Sequence, residues 1–232
     1  IEALRRAASE RETANTARHR EMVDYYTAWV HQIKTPIAAM RLTLQLDDTP
    51  NGRKLMSQLL RIEQYVDMVL MYLRLDEGTS DYVICACDVD DVIRQSLRKF
   101  AGEFIDRRLT LHYQPVGLTA VTDEKWLGFV VEQVLSNALK YTAQGSVTIA
   151  MDGDDLCIRD TGMGIAPEDL PRIFDRGYTG HNGRTHRQAS GIGLYLCRRI
   201  CRDLGHTITA ASAVGEGTVI RLELSRRTGP LE

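Results

Sequence analysis

A chain of 232 residues can form one large domain or two modest ones. Its 29 basic and 31 acidic side chains leave a formal charge of -2, without the basic surplus that draws a protein to nucleic acid or an anionic membrane. A composition 44% hydrophobic and 26% charged is that of an ordinary globular protein, and no run of about 18 apolar residues is present to span a bilayer.

Residues 1–20 are rich in Arg and Glu with a weak apolar stripe (Ile1, Leu4, Ala8), and read as a helical or coiled-coil connector. Residues 21–77 read as a helical hairpin. Tyr26, Val30, Ile33, Ile37, Met40 and Leu44 recur at alternating steps of four and three, as do Leu55, Leu59, Ile62, Val66, Val69 and Leu73. Asp47-Asp48-Thr49-Pro50-Asn51-Gly52 breaks the pattern between them, and so short a connection makes the helices antiparallel neighbours. A hairpin with an apolar seam on each arm buries little alone, so a dimeric four-helix bundle is expected.

Residues 78–84, opening with Gly78-Thr79-Ser80-Asp81, read as a linker, and residues 85–232 as a second domain. There the pattern turns mixed. Strands are predicted near 82–87, 108–113, 118–122, 146–151, 155–160, 206–211 and 217–224, and helices near 89–101, 123–142 and 190–204. The fold class is therefore an all-α hairpin followed by an α+β sandwich, one mixed sheet with helices on one face. The five cysteines (Cys85, Cys87, Cys157, Cys197, Cys201) match no zinc spacing and read as reduced core thiols.

His31 lies on the first helical pattern, one position after Val30, and is followed one turn later by Thr35 and then Pro36. A surface histidine on a helix usually does nothing, so its weight comes from four segments downstream. In Glu132–Thr142, Gln133, Asn137 and Lys140 (or Tyr141) share a helix face, and an amide oxygen beside an ammonium suits a magnesium triphosphate. Asp160-Thr161-Gly162-Met163-Gly164 places a carboxylate before two glycines, so an acceptor for an amine sits beside backbone that can be approached closely. Phe174 precedes a polar, glycine-containing stretch, 179–190, that reads as a lid. Gly191-Ile192-Gly193 opens a helix whose N-terminus can hold phosphate, without the Gly-Lys-Ser/Thr of a Walker loop.

In this order the four segments resemble the N, first glycine, F and second glycine boxes of the sensor histidine kinases of two-component systems, whose Bergerat-type ATP fold is shared with the gyrase-like ATPases. The hairpin resembles their dimerisation and phosphotransfer domain, with His31 in the H box. The run His31-Gln32-Ile33-Lys34-Thr35-Pro36, with Asp123–Leu127 and Glu132-Gln133, is similar to the small Gram-positive sensor kinases that work beside antimicrobial-peptide transporters.

The resemblance implies an ATP-dependent protein-histidine kinase. ATP and Mg2+ are the implied cofactors, with Asn137 as the metal ligand and Lys140 near the phosphates. Tyr141 should line the adenine pocket, Asp160 bind the adenine amine, and Gly162 and Gly164 shape the pocket beneath. Phe174 should anchor the lid, and Gly191 and Gly193 cradle phosphate. His31 should take the γ-phosphoryl group and pass it to an aspartate on a response regulator receiver domain. Thr35 should position water for dephosphorylating that regulator, unless its hydroxyl merely bonds back to the carbonyl of residue 31. The implied partners are a second copy in a homodimer, the regulator and a membrane transporter, with no nucleic acid. The chain begins at Ile1 rather than Met, which fits the cytoplasmic portion of a membrane-anchored bacterial sensor.

Two positions depart from the family pattern. Gln32 stands where most members carry Glu or Asp, and an amide accepts a hydrogen bond but is a far poorer base. Gln133 stands where many have a further Asn. The competing functions are an ATP-binding scaffold with little turnover and another ATPase of the same nucleotide fold. Pro36 cannot donate to the carbonyl of Gln32, so a bend is expected beside His31.

Overall fold

The computed structural model describes residues 2–47, 49–76, 82–180 and 190–224, and the chain divides into two compact units, 1–81 and 82–232. In the first unit, helix α1 (Glu2–Gln45) runs unbroken through Pro36, and helix α2 (Pro50–Asp76) returns beside it. The helix continues through residue 20 with no break between connector and hairpin.

The turn between the helices is built by side chains. Thr49 caps α2, its Oγ1 accepting the Gly52 N–H at 3.0 Å, while Asp47 Oδ1 accepts the Thr49 N–H at 3.0 Å. Pro50 at the first helical position gives up an N–H that had no partner there. A side chain on Gly52 would meet the Asp47 carboxylate at 2.6 Å, so the tight return requires glycine.

Between the arms, Val30, Ile37, Leu59, Val66 and Leu70 form one buried cluster, with Ile33 and Leu44 packed against it. Lys34–Asp67 (2.6 Å) and Arg41–Glu63 (3.5 Å) flank this core and fix the antiparallel register. Leu73 of the predicted seam is also buried, but four of its members are not covered by the hairpin itself: Met40, Leu55, Ile62 and Val69 are each more than two-fifths exposed.

The second unit has five main-sheet strands in the order β2-β4-β5-β7-β6. They are β2 (Thr110–Tyr113), β4 (Ser146–Asp152), β5 (Asp155–Asp160), β6 (Thr207–Ala213) and β7 (Gly217–Glu223). Only β2 and β4 run parallel, so the sheet is mixed. Helices α3 (Val89–Arg107), α4 (Glu124–Tyr141) and α5 (Gly193–Asp203) supply the other layer. Val147, Ile149, Leu156, Ile158, Ile220 and Leu222 alternate along the strands and are buried with Phe100, Leu127, Leu135, Leu196 and Ile200 of the helices.

Two strands lie apart from this sheet. β1 (Cys85–Asp88) and β3 (Thr119–Thr122) pair antiparallel as a separate two-stranded sheet, whereas a single sheet was expected. Asp123 joins this pair to α4: Oδ1 accepts the Trp126 N–H at 3.0 Å as the helix cap, and Oδ2 accepts the Val83 N–H at 2.8 Å. Helix α3 is longer than expected, because Gly102 lies on an open face and interrupts nothing. It ends where Arg108 turns left-handed (φ 54°) and donates its N–H to the Ile105 and Phe104 carbonyls. Among the described residues no helix is long and apolar enough to cross a membrane.

Candidate active site

The site of the second unit is assembled at one end of the sheet from the C-terminus of α4, the end of β5, the β6–β7 turn and the N-terminus of α5. Asp160 is the last residue of β5, opposite Thr218 on β7. Its Oδ1 accepts two backbone N–H groups, from Gly162 at 2.9 Å and Thr218 at 3.3 Å. Oδ2 has no partner among the described residues, so it is the oxygen left for a ligand donor. Burial raises the carboxyl pKa, and the two N–H bonds oppose that rise by favouring the ion.

Gly162 and Gly164 are needed for protein packing. A Cβ on Gly162 would lie 2.5 Å from the Tyr141 carbonyl and 2.8 Å from Asp160 Oδ1. Gly164 has φ +70°, and a Cβ there would overlap the Ala213 carbonyl. Met163 is held on both sides, its N–H donating to the Tyr141 carbonyl (3.2 Å) and its carbonyl accepting the Gly215 N–H (2.8 Å). The loop after Asp160 is thus clamped between the end of α4 and the β6–β7 turn. Glycine is required because other backbone occupies the space where side chains would begin.

Ser212 and Thr218 escaped the sequence reading. The Ser212 hydroxyl accepts the Ile165 N–H at 2.9 Å, donates to the Gly217 carbonyl at 2.7 Å and lies 2.9 Å from Thr218 Oγ1. These residues connect the turn to the glycine loop and hold the carboxylate. The run Gly215-Glu216-Gly217-Thr218, with positive φ at both glycines, was the available signal.

On α4, Asn137, Lys140 and Tyr141 are half-buried, whereas Gln133 is buried. The Lys140 ammonium stands 5.0 Å from the centre of the Tyr141 ring. Arg107 steadies this end of α4 by donating to the Leu139 carbonyl at 2.6 Å.

Phe174 is half-buried beneath the Arg198 guanidinium at 5.9 Å. Gly191, at φ +66°, packs so closely on the next turn that a Cβ would lie 2.5 Å from the Gly177 carbonyl carbon and 2.7 Å from Tyr178 backbone atoms. The Gly177 N–H donates to the Gly191 carbonyl at 2.9 Å. The segment carrying Phe174 is therefore fastened to the loop that opens α5. That helix begins at Gly193, and among the described residues no side chain caps it, which leaves a helix N-terminus suited to an anion. The expected lid, 179–190, falls mainly outside the described residues.

In the first unit, His31, Gln32 and Thr35 are all exposed on α1. The Thr35 hydroxyl donates to the His31 carbonyl at 3.3 Å, the helical back-bond weighed above, so it is engaged with the turn that presents His31.

A family model described as "Histidine kinase-, DNA gyrase B-, and HSP90-like ATPase" matches residues 122–228. The chain is 34% identical over 209 residues to the sensor histidine kinase YxdK of Bacillus subtilis, covering 86% of this chain and 63% of that protein. The chain is thus similar to a sensor histidine kinase over most of its length. It is also 34% identical to the sensor protein kinase GraS of Staphylococcus aureus, covering 84% of this chain and 58% of that one. It thus spans about three-fifths of the length of these curated relatives. Among solved structures, full-length ShkA in complex with AMPPNP superposes with a TM-score of 0.61 at 21% identity, over 90% of this chain and 47% of that one. This likeness shows the fold alone: helical hairpin, then mixed sheet with helices.

Proposed function

We propose that this chain is the cytoplasmic kinase portion of a two-component sensor, transferring the γ-phosphoryl group of ATP to His31 and thence to an aspartate on a response regulator receiver domain. The observation that carries this reading is Asp160. It is a buried carboxylate with one oxygen tied to two backbone N–H groups and the other left over, in the same unit as a helix N-terminus that no described side chain caps. An adenine amine and a phosphate chain need that pairing of acceptor and anion site.

Asp160 would accept from the adenine amine, Tyr141 line the ring's pocket and Lys140 meet the phosphates. The α5 N-terminus at Gly193, reached by the turn at Gly191, would hold phosphate oxygens. Asn137 offers an amide oxygen, and among the described residues no group of three His, Cys, Asp or Glu could hold a metal. That donor set suits Mg2+ held by one protein oxygen, phosphates and water rather than by a closed protein cage. The metal would supply charge neutralisation on the phosphates.

A ring nitrogen of His31 forms the new N–P bond as the bond to the departing ADP oxygen breaks. Its exposure leaves the imidazole reachable by both a nucleotide domain and a regulator. Gln32 accepts a hydrogen bond and orients the ring. Thr35, one turn on, would have to give up its bond to the His31 carbonyl to hold water against a docked regulator, and phosphatase activity rests on that exchange. The exposed part of the seam (Met40, Leu55, Ile62, Val69) supports a homodimer closing a four-helix bundle. The similarity to the transporter-linked subgroup supports a membrane transporter as a further partner of the whole protein.

Incubation with labelled ATP and Mg2+ tests the reading. Acid-labile, alkali-stable label on the wild type and none on His31→Gln is expected. Acid-stable label, or label kept by His31→Gln, would overturn it. Nucleotide binding with no label on the wild type would favour a scaffold without turnover, the reading for which Gln32 speaks.

A further inference from the structure

Cys85 and Cys87 are two positions apart on β1, so both side chains leave the same face of the strand. Their sulfur atoms are 3.2 Å apart. All five cysteines are free thiols, but they are not equivalent: Cys85 is exposed, while Cys87, Cys157, Cys197 and Cys201 are buried. The expectation of uniform core thiols therefore fails at Cys85. The Cys87 sulfur sits behind it, also 3.5 Å from the Thr122 carbonyl. An accessible thiol in contact with a sheltered one is the arrangement of an attacking and a resolving cysteine.

We propose that Cys85 and Cys87 form an oxidisable dithiol, closed to an intrachain disulfide by a low-molecular-weight disulfide such as oxidised glutathione. In the first step the Cys85 thiolate attacks one sulfur of the small disulfide. A Cys85–glutathione bond forms, the original S–S bond breaks, and one glutathione thiolate leaves. In the second step Cys87 loses its proton to water and attacks the Cys85 sulfur. The Cys85–Cys87 bond forms and the second glutathione thiolate leaves. The protein gives up two electrons and two protons, and one small disulfide becomes two thiols.

Three features favour this chemistry here. Two thiols without a third ligand make no metal site, since no group of three His, Cys, Asp or Glu is present among the described residues. Among the described residues β1 pairs with β3 alone, so its other edge carries no ladder that would resist puckering. Two strand positions span roughly 6.6 Å between Cα atoms, near the upper limit that a disulfide bridges, and with the sulfurs already in contact closure asks for local puckering of the strand.

The order of attack follows from the surroundings. Burial, then the contact with Cys85, pushes the Cys87 thiol up to about 12, so it does not react first. Once Cys85 is a mixed disulfide its share of that rise is gone, while burial, the larger cause, remains, so the second step is the slower one.

The test is to incubate the whole chain with oxidised glutathione, quench with acid, and read intact and peptide masses. Expected for the wild type is the loss of two hydrogens, located to the peptide holding residues 85–87, with Cys157, Cys197 and Cys201 still open to alkylation after unfolding. Cys87→Ser should stop at one glutathionyl group on Cys85. Cys85→Ser, an exposed substitution that leaves the core intact, should stay unmodified at Cys87. A wild type that stops as the Cys85 mixed disulfide, or that oxidises Cys197 and Cys201 before this pair, would overturn the proposal.

Discussion

Asp160 Oδ1 accepts the backbone N–H of Gly162 at 2.9 Å, so the carboxylate is oriented by the loop it introduces. Because Thr218 donates to the same atom, Oδ2 is left without a partner among the described residues. Asp160→Asn keeps the shape and can still accept both N–H groups through its oxygen, but then presents an NH₂ where an acceptor is needed. We expect nucleotide affinity to fall about 10- to 100-fold with little change in melting temperature, by calorimetric titration. Burial places the carboxyl pKa above its usual 3.8, so wild-type affinity should decline as pH falls through that raised value, while the Asn variant shows no such decline.

Gly191 and Gly177 share a positive φ (+66° and +74°) but not their surroundings. A Cβ on Gly177 meets nothing within 4 Å, so Gly177→Ala carries only the backbone cost of about 1–2 kcal/mol. Gly191→Ala adds a collision with the Gly177–Tyr178 backbone. It should cost roughly 1–3 kcal/mol more and loosen the start of α5. Chemical denaturation of the two variants side by side, with nucleotide titration, measures the difference.

His206 is buried with its Nε2 2.8 Å from Thr122 Oγ1, and burial lowers its pKa below 6.5. As pH drops through 6.5 the unfolded chain takes up a proton that the folded chain refuses, and stability falls; above 6.5 both are neutral and this contribution is flat. Urea unfolding on either side of 6.5 should show a pH slope in the wild type that is reduced in His206→Gln.

Gln32 lies exposed beside His31, where an amide can orient an imidazole but not take its proton. Autophosphorylation should slow by about tenfold in Gln32→Ala and be kept or raised in Gln32→Glu. Equal initial rates for wild type and Gln32→Ala, with labelled ATP, would remove Gln32 from the reaction.

Much of this molecule was legible in its sequence because its signals are local. The two seams, the turn at Asp47–Gly52, and the Asp160 and Gly191 loops each announce themselves within one short stretch of chain. What stayed hidden depends on residues distant in the chain. Thr218 comes to Asp160 only through the β5–β7 register, 58 positions away. The glycines after Asp160 were recognisable as places of close approach, but not that Tyr141 and Ala213 are what approaches. The separate β1–β3 pair follows from partner choice, which alternation within a strand does not encode. The helix predicted from 190 starts at Gly193, because Gly191 takes a left-handed turn that no helix admits.

Helix α1 has a mechanical consequence. From Glu2 to Thr35 it contains neither proline nor glycine, so nothing along that length acts as a hinge. At 1.5 Å per residue, roughly 40 Å of stiff rod lies between Glu2 and His31, and tilting it by about 5° about its far end sweeps the imidazole through about 4 Å. That arc exceeds the tolerance of a phosphoryl transfer. A push delivered at the start of α1 therefore need not alter His31 chemically to control it; carrying the ring out of range is enough.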